Sequence, residues 1–418
     1  MIYPSNIILV INYYVTMKNK TGPPGTKGDI GETGERGNAG ICDPKCRDNI
    51  CETQIINSII TKLSSLNRVS FTWWVPLVWL EIRSTPKHQS LNDENKSPLP
   101  YGNDVIIDKF KAITGISERR YVSDDLENSG IATEAAAIAI ADAGIDPETL
   151  DYIILAQNFG DVSASSNQCD SLPSLASRVK HNLKINNPNC VAYDLIFGCP
   201  GWVQAIIHAD AFIKAGLAKK VLIIGSETLS RVVDPNDRDS MIYSDGAAAC
   251  ILEKATDPNV GILSTAAQSY TRNEAHYLFY GPTYHPKKES KTNYIKMHGR
   301  KIYEFALTNV PKAMRSALDS SGVSIDQVKK ILIHQANEKM DEAIIHRFYR
   351  QYGIKAPEGI MPMSIHKLGN SSVATVPTLF DLIVKENLDG HRITQGDILL
   401  FASVGAGMNI NAFVYRYG

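Results

Sequence analysis

The feature that most constrains the fold of this chain is an internal repeat. The segment "AGIDPETLDYIILAQN" (143–158) matches "SGVSIDQVKKILIHQA" (321–336), with a strand-like apolar run and a following glutamine at the same places. Each segment comes after an Ala-rich, amphipathic helix pattern, at 131–143 and at 304–321. Two copies of one unit predict two similar layers related by a pseudo-twofold axis.

The match continues along the chain and gives the order of elements in each copy. Three more pairs of segments correspond: "FGCPGW" (197–202) with "LGNSSV" (368–373), "KVLIIGSE" (220–227) with "DILLFASV" (397–404), and "SDGAAACILE" (244–253) with "GAGMNINAFVY" (405–415). The order in both copies is helix, strand, turn, helix, strand and hairpin strand. This alternation predicts an α/β fold of mixed, mostly parallel sheets covered by helices.

Composition is that of a large globular protein and argues against two classes of partner. The chain has 418 residues, 44% of them hydrophobic, which is enough for a large core or two fused cores. A formal net charge of -1 gives no electrostatic reason to expect a nucleic-acid partner. The longest apolar runs, 6–15 and 69–82, are shorter than the ~18–20 residues that span a bilayer. Neither a membrane span nor a targeting signal is therefore expected.

Cysteine usage favours a reducing compartment. Four cysteines are scattered through the main body without metal-ligand spacing: Cys169, Cys190, Cys199 and Cys250. Scattered thiols of this kind fit a cytoplasmic location. The three others, Cys42, Cys46 and Cys51, lie close together, and their spacing suits interchain disulfides or a weak metal site that lacks a fourth ligand.

Residues 1–88 differ in character from the rest of the chain. Glycine occupies every third position across 22–40, which is the pattern of a collagen triple helix, with a solvated Gly-rich linker as an equal alternative. Apolar residues at helical spacing over 52–67 predict a short helix that either self-associates or packs against the body. The apolar run of the junction 69–88 predicts a strand.

Three residues point to a reaction centre. Cys199, His334 and Asn370 are expected to follow directly on the carboxyl ends of strands, where open parallel sheets bind ligands. Cys199 precedes a predicted helix, whose N-terminal amides and dipole favour an anion, so a lowered thiol pKa is expected. Taken singly, they could be a packing cysteine, a structural histidine and an N-capping asparagine. Their occurrence together at equivalent turns favours catalysis.

Seven segments match a known family: "AITGISERRYV", "PSLASRV", "DLIFGCPGW", "DPNDRDSMIYSDGAAA", "ILIHQAN", "GNSSVATVP" and "SVGAGMN". With them, residues from about 104 onward resemble the β-ketoacyl-acyl-carrier-protein synthase III family of the thiolase superfamily. The resemblance implies a duplicated thiolase-like fold, layered α-β-α-β-α with pseudo-twofold symmetry. It implies an N-terminal half at 89–258 and a C-terminal half at 259–418, after the atypical region 1–88.

The family's catalytic triad corresponds to Cys199, His334 and Asn370. The resemblance implies that Cys199 attacks an acyl thioester, while backbone amides of Cys199 and of Ala406, in the 405–407 turn, hold the oxyanion. His334 and Asn370 would donate hydrogen bonds to the enolate that forms when a malonyl thioester loses carbon dioxide. The implied partners are acyl carrier protein, acyl-CoA and a second copy in a homodimer, with no metal and no cofactor beyond the carriers.

Four further positions carry over as substrate-binding residues. Arg238 matches a contact to the coenzyme A nucleotide, with a solvated surface arginine as an equal alternative. Gly299 and Asn337 match positions that line the pantetheine tunnel. Leu172 matches the residue by which the dimer mate closes the acyl pocket.

The chain departs from the family pattern at two places. Lys109 and Ile113 stand where relatives carry a Trp and an Arg that sandwich the adenine, so coenzyme A and acyl carrier protein both stay open as primer carriers. The junction 69–88 lacks the family's glycine turn, and its strand is expected to be central to the first sheet.

The sequence leaves three possible functions open. The leading one is a condensing enzyme that joins an acyl group to malonyl-acyl-carrier-protein in fatty-acid or polyketide initiation. A second keeps the fold and forms an ester or amide, with an acyl-enzyme but no malonyl turnover. The third is a collagen-like structural protein with an inactive synthase domain.

Overall fold

In the computed structural model of the chain, the described residues are 69–74, 81–83, 91–166, 168–287, 292–386, 388 and 390–418. The segments predicted as collagen-like (22–40), Cys-rich (42–51) and helical (52–67) lie outside these residues. Those three predictions, and the domain boundary at residue 88, therefore stay predictions.

The elements alternate much as the repeat predicts. The described strands are β1 (Val69–Trp74), β2 (Glu81–Arg83), β3 (Arg119–Tyr121), β4 (Tyr152–Gln157), β5 (Val191–Ile196), β6 (Lys220–Glu227), β7 (Gly246–Lys254), β8 (Gly261–Ser269), β9 (Leu278–Pro282), β10 (Asn293–Met297), β11 (Val328–Ile333), β12 (Ile398–Gly405) and β13 (Asn409–Arg416). The described helices are α1 (Asn103–Thr114), α2 (Asn128–Ala143), α3 (Leu175–Asn182), α4 (Gly201–Lys214), α5 (Gly299–Ser321), α6 (Glu338–Arg350), α7 (Ile365–Leu368) and α8 (Thr375–Val384). None of these helices is long and apolar enough to cross a membrane.

The predicted duplication is confirmed by the two main sheets. Among the described strands, the first sheet has the order β1-β7-β6-β4-β5 and the second has the order β8-β13-β12-β11. Each hairpin strand therefore occupies the same place in its own sheet. The helices before the matched strands, α2 and α5, both end at a left-handed glycine, Gly144 and Gly322, which are the residues that the repeat aligns.

The sheets are mixed, as predicted, but the prediction that they are mostly parallel is wrong. Strand β4 pairs in parallel with β5 and β6, and β11 pairs in parallel with β12. The hairpin strands β7 and β13 run antiparallel to both of their neighbours. A strand that returns without a crossover helix must run antiparallel. Because each hairpin strand also pairs antiparallel with its other neighbour, β1 or β8, antiparallel pairings are the majority among the described strands.

The junction supplies a strand, but at a different place in the sheet from the one expected. Strand β1 pairs antiparallel with β7 and lies at the edge of the first sheet, so the prediction of a central strand is wrong. The centre is taken by β6, between β7 and β4, and the sequences of β6 and β4 are apolar runs of the repeat. The chain passes from the first sheet to the second between Lys254 and Gly261.

Helices cover both sheets and fill the space between them. The central layer contains α4 and α8, which contact strands of both sheets. Its core includes four fully buried aromatic side chains: Trp202, Phe380, Phe401 and Phe413. On the outer faces, α2 and α3 pack on the first sheet, and α5 and α6 pack on the second. The order of layers is therefore α-β-α-β-α, as predicted, and burial of apolar area on four sheet faces supplies the main stabilisation.

Strand ends position two of the three predicted catalytic residues. Cys199 follows β5 and His334 directly follows β11, as expected. Asn370 does not follow a strand, because the segment beside β11 forms only isolated contacts, such as Ile331 N to Ile360 O (2.9 Å), and then enters α7. Asn370 is reached from the short helix α7, and that part of the prediction is wrong.

Candidate active site

The turn that carries Cys199 depends on two close backbone approaches. Cys199 directly precedes Pro200, the N-cap of α4, so the predicted placement at a helix start is confirmed. Gly198 has a φ of 68°, and a Cβ there would lie 2.6 Å from Ala406 N. A Cβ on Gly405 would lie 2.5 Å from Cys199 N. Since only glycine leaves this room, the turn at Ala406 packs directly against the backbone of Cys199.

Cys199 lies in the wall of a cavity of about 210 Å³. The lining residues are Asn158, Phe159, Gly198, Cys199, Leu229, Tyr243, Leu278, Phe279, Tyr280, Ile295, Ser372 and Ala406. Ala406, the predicted oxyanion residue, is thus in the same wall as Cys199. Most of the side chains are apolar or aromatic, and several come from the ribbon of β9 and β10, which sequence reasoning did not assign. A pocket with this lining suits an acyl chain.

His334 is held at the end of β11 in its neutral form. Its backbone N–H donates to Ala402 O at 2.9 Å, and the adjacent Gln335 side chain donates to Pro362 O at 2.8 Å. Gln335 also accepts from Ser364 N at 2.9 Å, which ties the strand end to the segment before Asn370. Burial lowers the pKa of His334 to about 4, against a hydrogen bond to the backbone of Ser372 that raises it. The ring is therefore uncharged at neutral pH.

Asn370 is buried and has a fixed amide orientation. Its backbone N–H donates to Ile242 O at 2.9 Å, and its carbonyl accepts from Ser244 N at 2.8 Å. Its side-chain Oδ1 accepts from Ser372 N at 2.8 Å. Because the oxygen is engaged by Ser372, the other end of the amide, Nδ2, is the one that can donate elsewhere.

Ser372 links the three residues that the sequence singled out. Its Oγ donates to Cys199 Sγ at 3.4 Å, its N–H donates to Asn370, and its backbone bonds to the His334 ring. The structure therefore brings Cys199, His334 and Asn370 together around one serine. Sequence reasoning quoted this serine within "GNSSV" but gave it no role.

The thiol of Cys199 is not acidified as expected. Although part of Cys199 faces the cavity, protein atoms surround the sulfur, and burial raises the pKa of the thiol to about 11. The hydrogen bond from Ser372 lowers this pKa, and the nearby carboxyl of Glu227 raises it. The helix start is present, but desolvation of the thiolate outweighs it, so the prediction of a lowered thiol pKa is wrong for the free protein.

Two more polar residues at this edge escaped the sequence analysis. Asn158 directly follows β4 and Glu227 ends β6, the strands that flank each other in the first sheet. Asn158 Nδ2 donates to Glu227 Oε1 and to Ser372 Oγ, the latter at 3.3 Å. Asn158 Oδ1 accepts from Gly198 N at 3.0 Å. A signal was available, since both residues stand at the carboxyl ends of parallel strands: β4 is beside β5, which precedes Cys199, and β6 is beside β4.

Comparison with known proteins agrees with this site. The family model described as 3-oxoacyl-[acyl-carrier-protein (ACP)] synthase III matches residues 193–271, and the model of its C-terminal part matches residues 318–417. The β-ketoacyl-[acyl-carrier-protein] synthase III of Erythrobacter litoralis (strain HTCC2594) is 30% identical over 333 residues, which cover 79% of this chain and 96% of the relative. The chain belongs to the β-ketoacyl-acyl-carrier-protein synthase III family.

Solved structures with this family's name share the fold. The 3-oxoacyl-[acyl-carrier-protein] synthase III of Aquifex aeolicus VF5 is 28% identical with a TM-score of 0.65, and the match covers 84% of this chain and 100% of that one. The 3-oxoacyl-(acyl carrier protein) synthase III of Pseudomonas aeruginosa PAO1 has a TM-score of 0.67 at 24% identity, covering 84% and 98%. The predicted family, fold and enzyme class are thereby confirmed, and the ester-forming and structural alternatives are not favoured.

The family's remaining substrate positions lie apart from the cavity lining. Arg238 is half exposed, and its guanidinium donates to Asp239 Oδ1 at 2.8 Å and 3.0 Å. Gly299 begins α5, and a Cβ there would lie 3.5 Å from Asp239 Oδ2, so Arg238 and Gly299 share one neighbour. Asn337 caps α6 through Met340 N at 3.1 Å. Their binding roles stay predictions.

Leu172 and the two departures from the synthase III pattern are exposed. Leu172 is 88% exposed and is not among the residues that line the cavity. Ile113 is 52% exposed on α1, and Lys109 Nζ lies 3.5 Å from the centroid of the Tyr101 ring. At the two positions where the resemblance predicts an adenine contact, α1 therefore presents a lysine on a tyrosine and an exposed aliphatic side chain.

Proposed function

We propose that this synthase III joins an acyl group, carried as a thioester on Cys199, to malonyl-acyl-carrier-protein by decarboxylative Claisen condensation. The observation that carries the proposal is the position of the Cys199 sulfur. It lies in the wall of an apolar cavity, beside the Ala406 turn and bonded to the serine that also contacts His334 and Asn370. Relatives that match nearly their whole length are named for this synthase reaction.

The first half-reaction is acyl transfer to Cys199. The thiolate attacks the carbonyl carbon of an acyl thioester, and the carbonyl oxygen takes the negative charge. The carbon–sulfur bond to the carrier then breaks, and the carrier leaves as its thiol once it receives the proton that the Cys199 thiol gave up. The backbone amides of Cys199 and Ala406 stabilise that oxygen, and the contacts at Gly198 and Gly405 keep the two amides close. The acyl chain then occupies the cavity.

The second half-reaction is decarboxylation and condensation. A malonyl thioester loses carbon dioxide, and the electrons of the broken bond form an enolate on its carbonyl oxygen. The Nδ2 end of Asn370 donates a hydrogen bond to that oxygen, and neutral His334 donates its one ring N–H to the same oxygen in place of the Ser372 backbone. The enolate carbon attacks the Cys199 thioester, which releases a β-ketoacyl thioester and regenerates the Cys199 thiolate. The reaction uses no cofactor beyond the carriers.

The acylation step is tested by the mass of the intact protein. The chain is incubated with acetyl-CoA, longer acyl-CoAs and acyl-acyl-carrier-protein thioesters, with Cys199→Ala as the matched control. We expect a mass gain of one acyl group that Cys199→Ala lacks. The donor that acylates fastest also decides between coenzyme A and acyl carrier protein, the choice that Lys109 and Ile113 leave open. A folded chain that gains no mass with any donor contradicts the proposal.

We also propose that the synthase is a homodimer that meets its partner along β5. This strand is the last of the first sheet as described, and Val191 and Ile196 on it are 48% and 68% exposed. An exposed apolar edge strand is a template for pairing with another strand. Sedimentation equilibrium is expected to give twice the chain mass, and Ile196→Lys is expected to shift it toward the monomer. A monomeric unaltered chain contradicts the dimer.

A cytoplasmic location fits the four cysteines of the main body, Cys169, Cys190, Cys199 and Cys250, all of which are free thiols. Fractionation of the source cells tests this location. Recovery of the protein outside the cytoplasmic fraction contradicts it.

A further inference from the structure

The Cys199 sulfur is the end of a chain of hydrogen bonds that starts at a buried carboxyl. Glu227 is 1% exposed and accepts from Asn158 Nδ2. The same Nδ2 donates to Ser372 Oγ at 3.3 Å, and Ser372 Oγ donates to Cys199 Sγ at 3.4 Å. We call Glu227, Asn158 and Ser372 the relay. It deepens the proposed function, on which it rests only through Cys199 as the nucleophile.

The contacts of Asn158 fix which atom donates and which accepts in each hydrogen bond of the relay. Asn158 Oδ1 is occupied by Gly198 N at 3.0 Å, so the amide cannot turn over without losing that bond. The Nδ2 hydrogens therefore point to Glu227 and to Ser372. Because Ser372 Oγ accepts from Asn158, its own hydrogen is left to point at the sulfur of Cys199.

Ser372 is held where it is by an unusual backbone. Its φ is 53°, in the left-handed region that few residues other than glycine adopt. Its N–H donates to Asn370 Oδ1 at 2.8 Å, and the side chain is almost fully buried. Such conformations persist where the surrounding contacts determine them, and here those contacts aim the hydroxyl at Cys199.

We propose that the relay positions the Ser372 hydroxyl as a donor to Cys199 and thereby stabilises the thiolate that attacks the acyl thioester. Ser372 touches the reacting sulfur, whereas Asn158 and Glu227 act through it and are positioning residues. A charge-assisted hydrogen bond offsets part of the desolvation that a buried thiolate suffers. Two other ionisable groups interact electrostatically with this part of the site: Asp245 with Glu227, and Tyr243 with Cys199.

The test is the rate at which iodoacetamide alkylates Cys199 in the full chain, followed by the mass of the peptide that contains Cys199 from about pH 7 to about pH 10. This readout needs neither an acyl donor nor a malonyl thioester, so it is independent of the condensation. Ser372→Ala is expected to slow alkylation about tenfold at each pH, because a hydrogen bond to a charged group is lost. Ser372→Gly, which suits a φ of 53°, is expected to slow it equally.

The controls separate the relay from general damage to the site. Ser371→Ala alters the neighbouring serine, whose Oγ lies 3.4 Å from Thr375 Oγ1, and is expected to alkylate at the unaltered rate. Glu227→Gln removes the charge that raises the thiol pKa but keeps an acceptor for Asn158, so it is expected to alkylate at least as fast as the unaltered chain. Glu227→Leu removes the same charge and also the acceptor, and is expected to alkylate more slowly than Glu227→Gln. Alkylation of Ser372→Ala and Ser372→Gly at the unaltered rate overturns the proposal. Equal rates for Glu227→Leu and Glu227→Gln remove Glu227 from it.

Discussion

His334→Ala is expected to lose malonyl decarboxylation by about 100- to 1,000-fold, while acylation of Cys199 continues. The reason is geometric and electrostatic. His334 is buried and uncharged, with its pKa lowered by burial to about 4, so it offers a neutral N–H donor to an enolate oxygen rather than a charge to the acyl thioester. The measurement pairs release of labelled carbon dioxide from malonyl-acyl-carrier-protein with intact-mass acylation of the same preparation.

The matched control is His366→Ala. His366 lies four residues before Asn370 in the sequence, and its Nε2 lies 2.7 Å from Glu338 Oε1. It has no part in the proposed reaction, so near-normal decarboxylation is expected. Nearly normal carbon dioxide release from His334→Ala, with the fold intact, contradicts the assignment of His334.

Asn370→Asp tests whether the Nδ2 group of Asn370 donates a hydrogen bond to the enolate oxygen. An aspartate still accepts from Ser372 N, as Oδ1 of Asn370 does at 2.8 Å, but its other oxygen cannot donate to the enolate. We therefore expect Asn370→Asp to lose decarboxylation as fully as Asn370→Ala. Retained activity in Asn370→Asp would show that the side chain serves only to hold Ser372.

The duplicated fold could be predicted from the sequence because both copies keep the same local signals. The apolar strand runs and the helix-ending glycines Gly144 and Gly322 recur at matched positions, and each reports a local preference. Strand direction was predicted less well. Whether a strand crosses over or returns as a hairpin depends on long-range pairing, which local patterns do not report. The sequence therefore did not show that β7 and β13 pair antiparallel with both of their neighbours.

The proximity of Cys199, His334 and Asn370 could be predicted from the sequence, and their contacts with Asn158 and Glu227 through Ser372 could not. Cys199 and His334 stand next to apolar runs that end in a polar residue, which marks a strand end from sequence alone. Asn158 bonds to a glutamate 69 positions away and to a serine 214 positions away. Nothing in the local sequence couples these three residues, since their contact is created only when the sheet and the central helices assemble.

The pKa of the Cys199 thiol could not be predicted from the local sequence. The start of α4 is visible in the sequence, and its amides and dipole do favour an anion. The atoms that surround the sulfur come from distant segments, among them Ser372 and the turn at Ala406. Burial therefore decides the pKa, and burial is a property of the assembled fold.

Lys296→Met is expected to destabilise the synthase fold by about 3–5 kcal/mol, the cost of leaving buried charges without their partner. Lys296 Nζ lies 2.6 Å from Asp234 Oδ2 and 2.9 Å from Asp237 Oδ2, with its side chain and that of Asp234 fully buried. It also lies 3.4 Å from the centroid of the Tyr284 ring. Methionine keeps the length and the apolar stem, so the variant isolates the charge. Urea unfolding followed by tryptophan fluorescence measures the change.

The pH dependence of that loss separates charge from packing. Without Lys296, burial raises the pKa of both carboxyls above their unfolded values, so the penalty is largest at neutral pH and shrinks as the pH falls and they take up protons. Lys296→Met combined with Asp234→Asn and Asp237→Asn is expected to regain most of the stability. Arg300→Ala, which breaks an exposed pair of 2.9 Å with Glu304, is expected to change the midpoint little. Because Ile295, next to Lys296 on β10, lines the cavity, we expect the loss of this cluster to loosen the acyl pocket as well. A loss of stability independent of pH would assign the effect to packing alone.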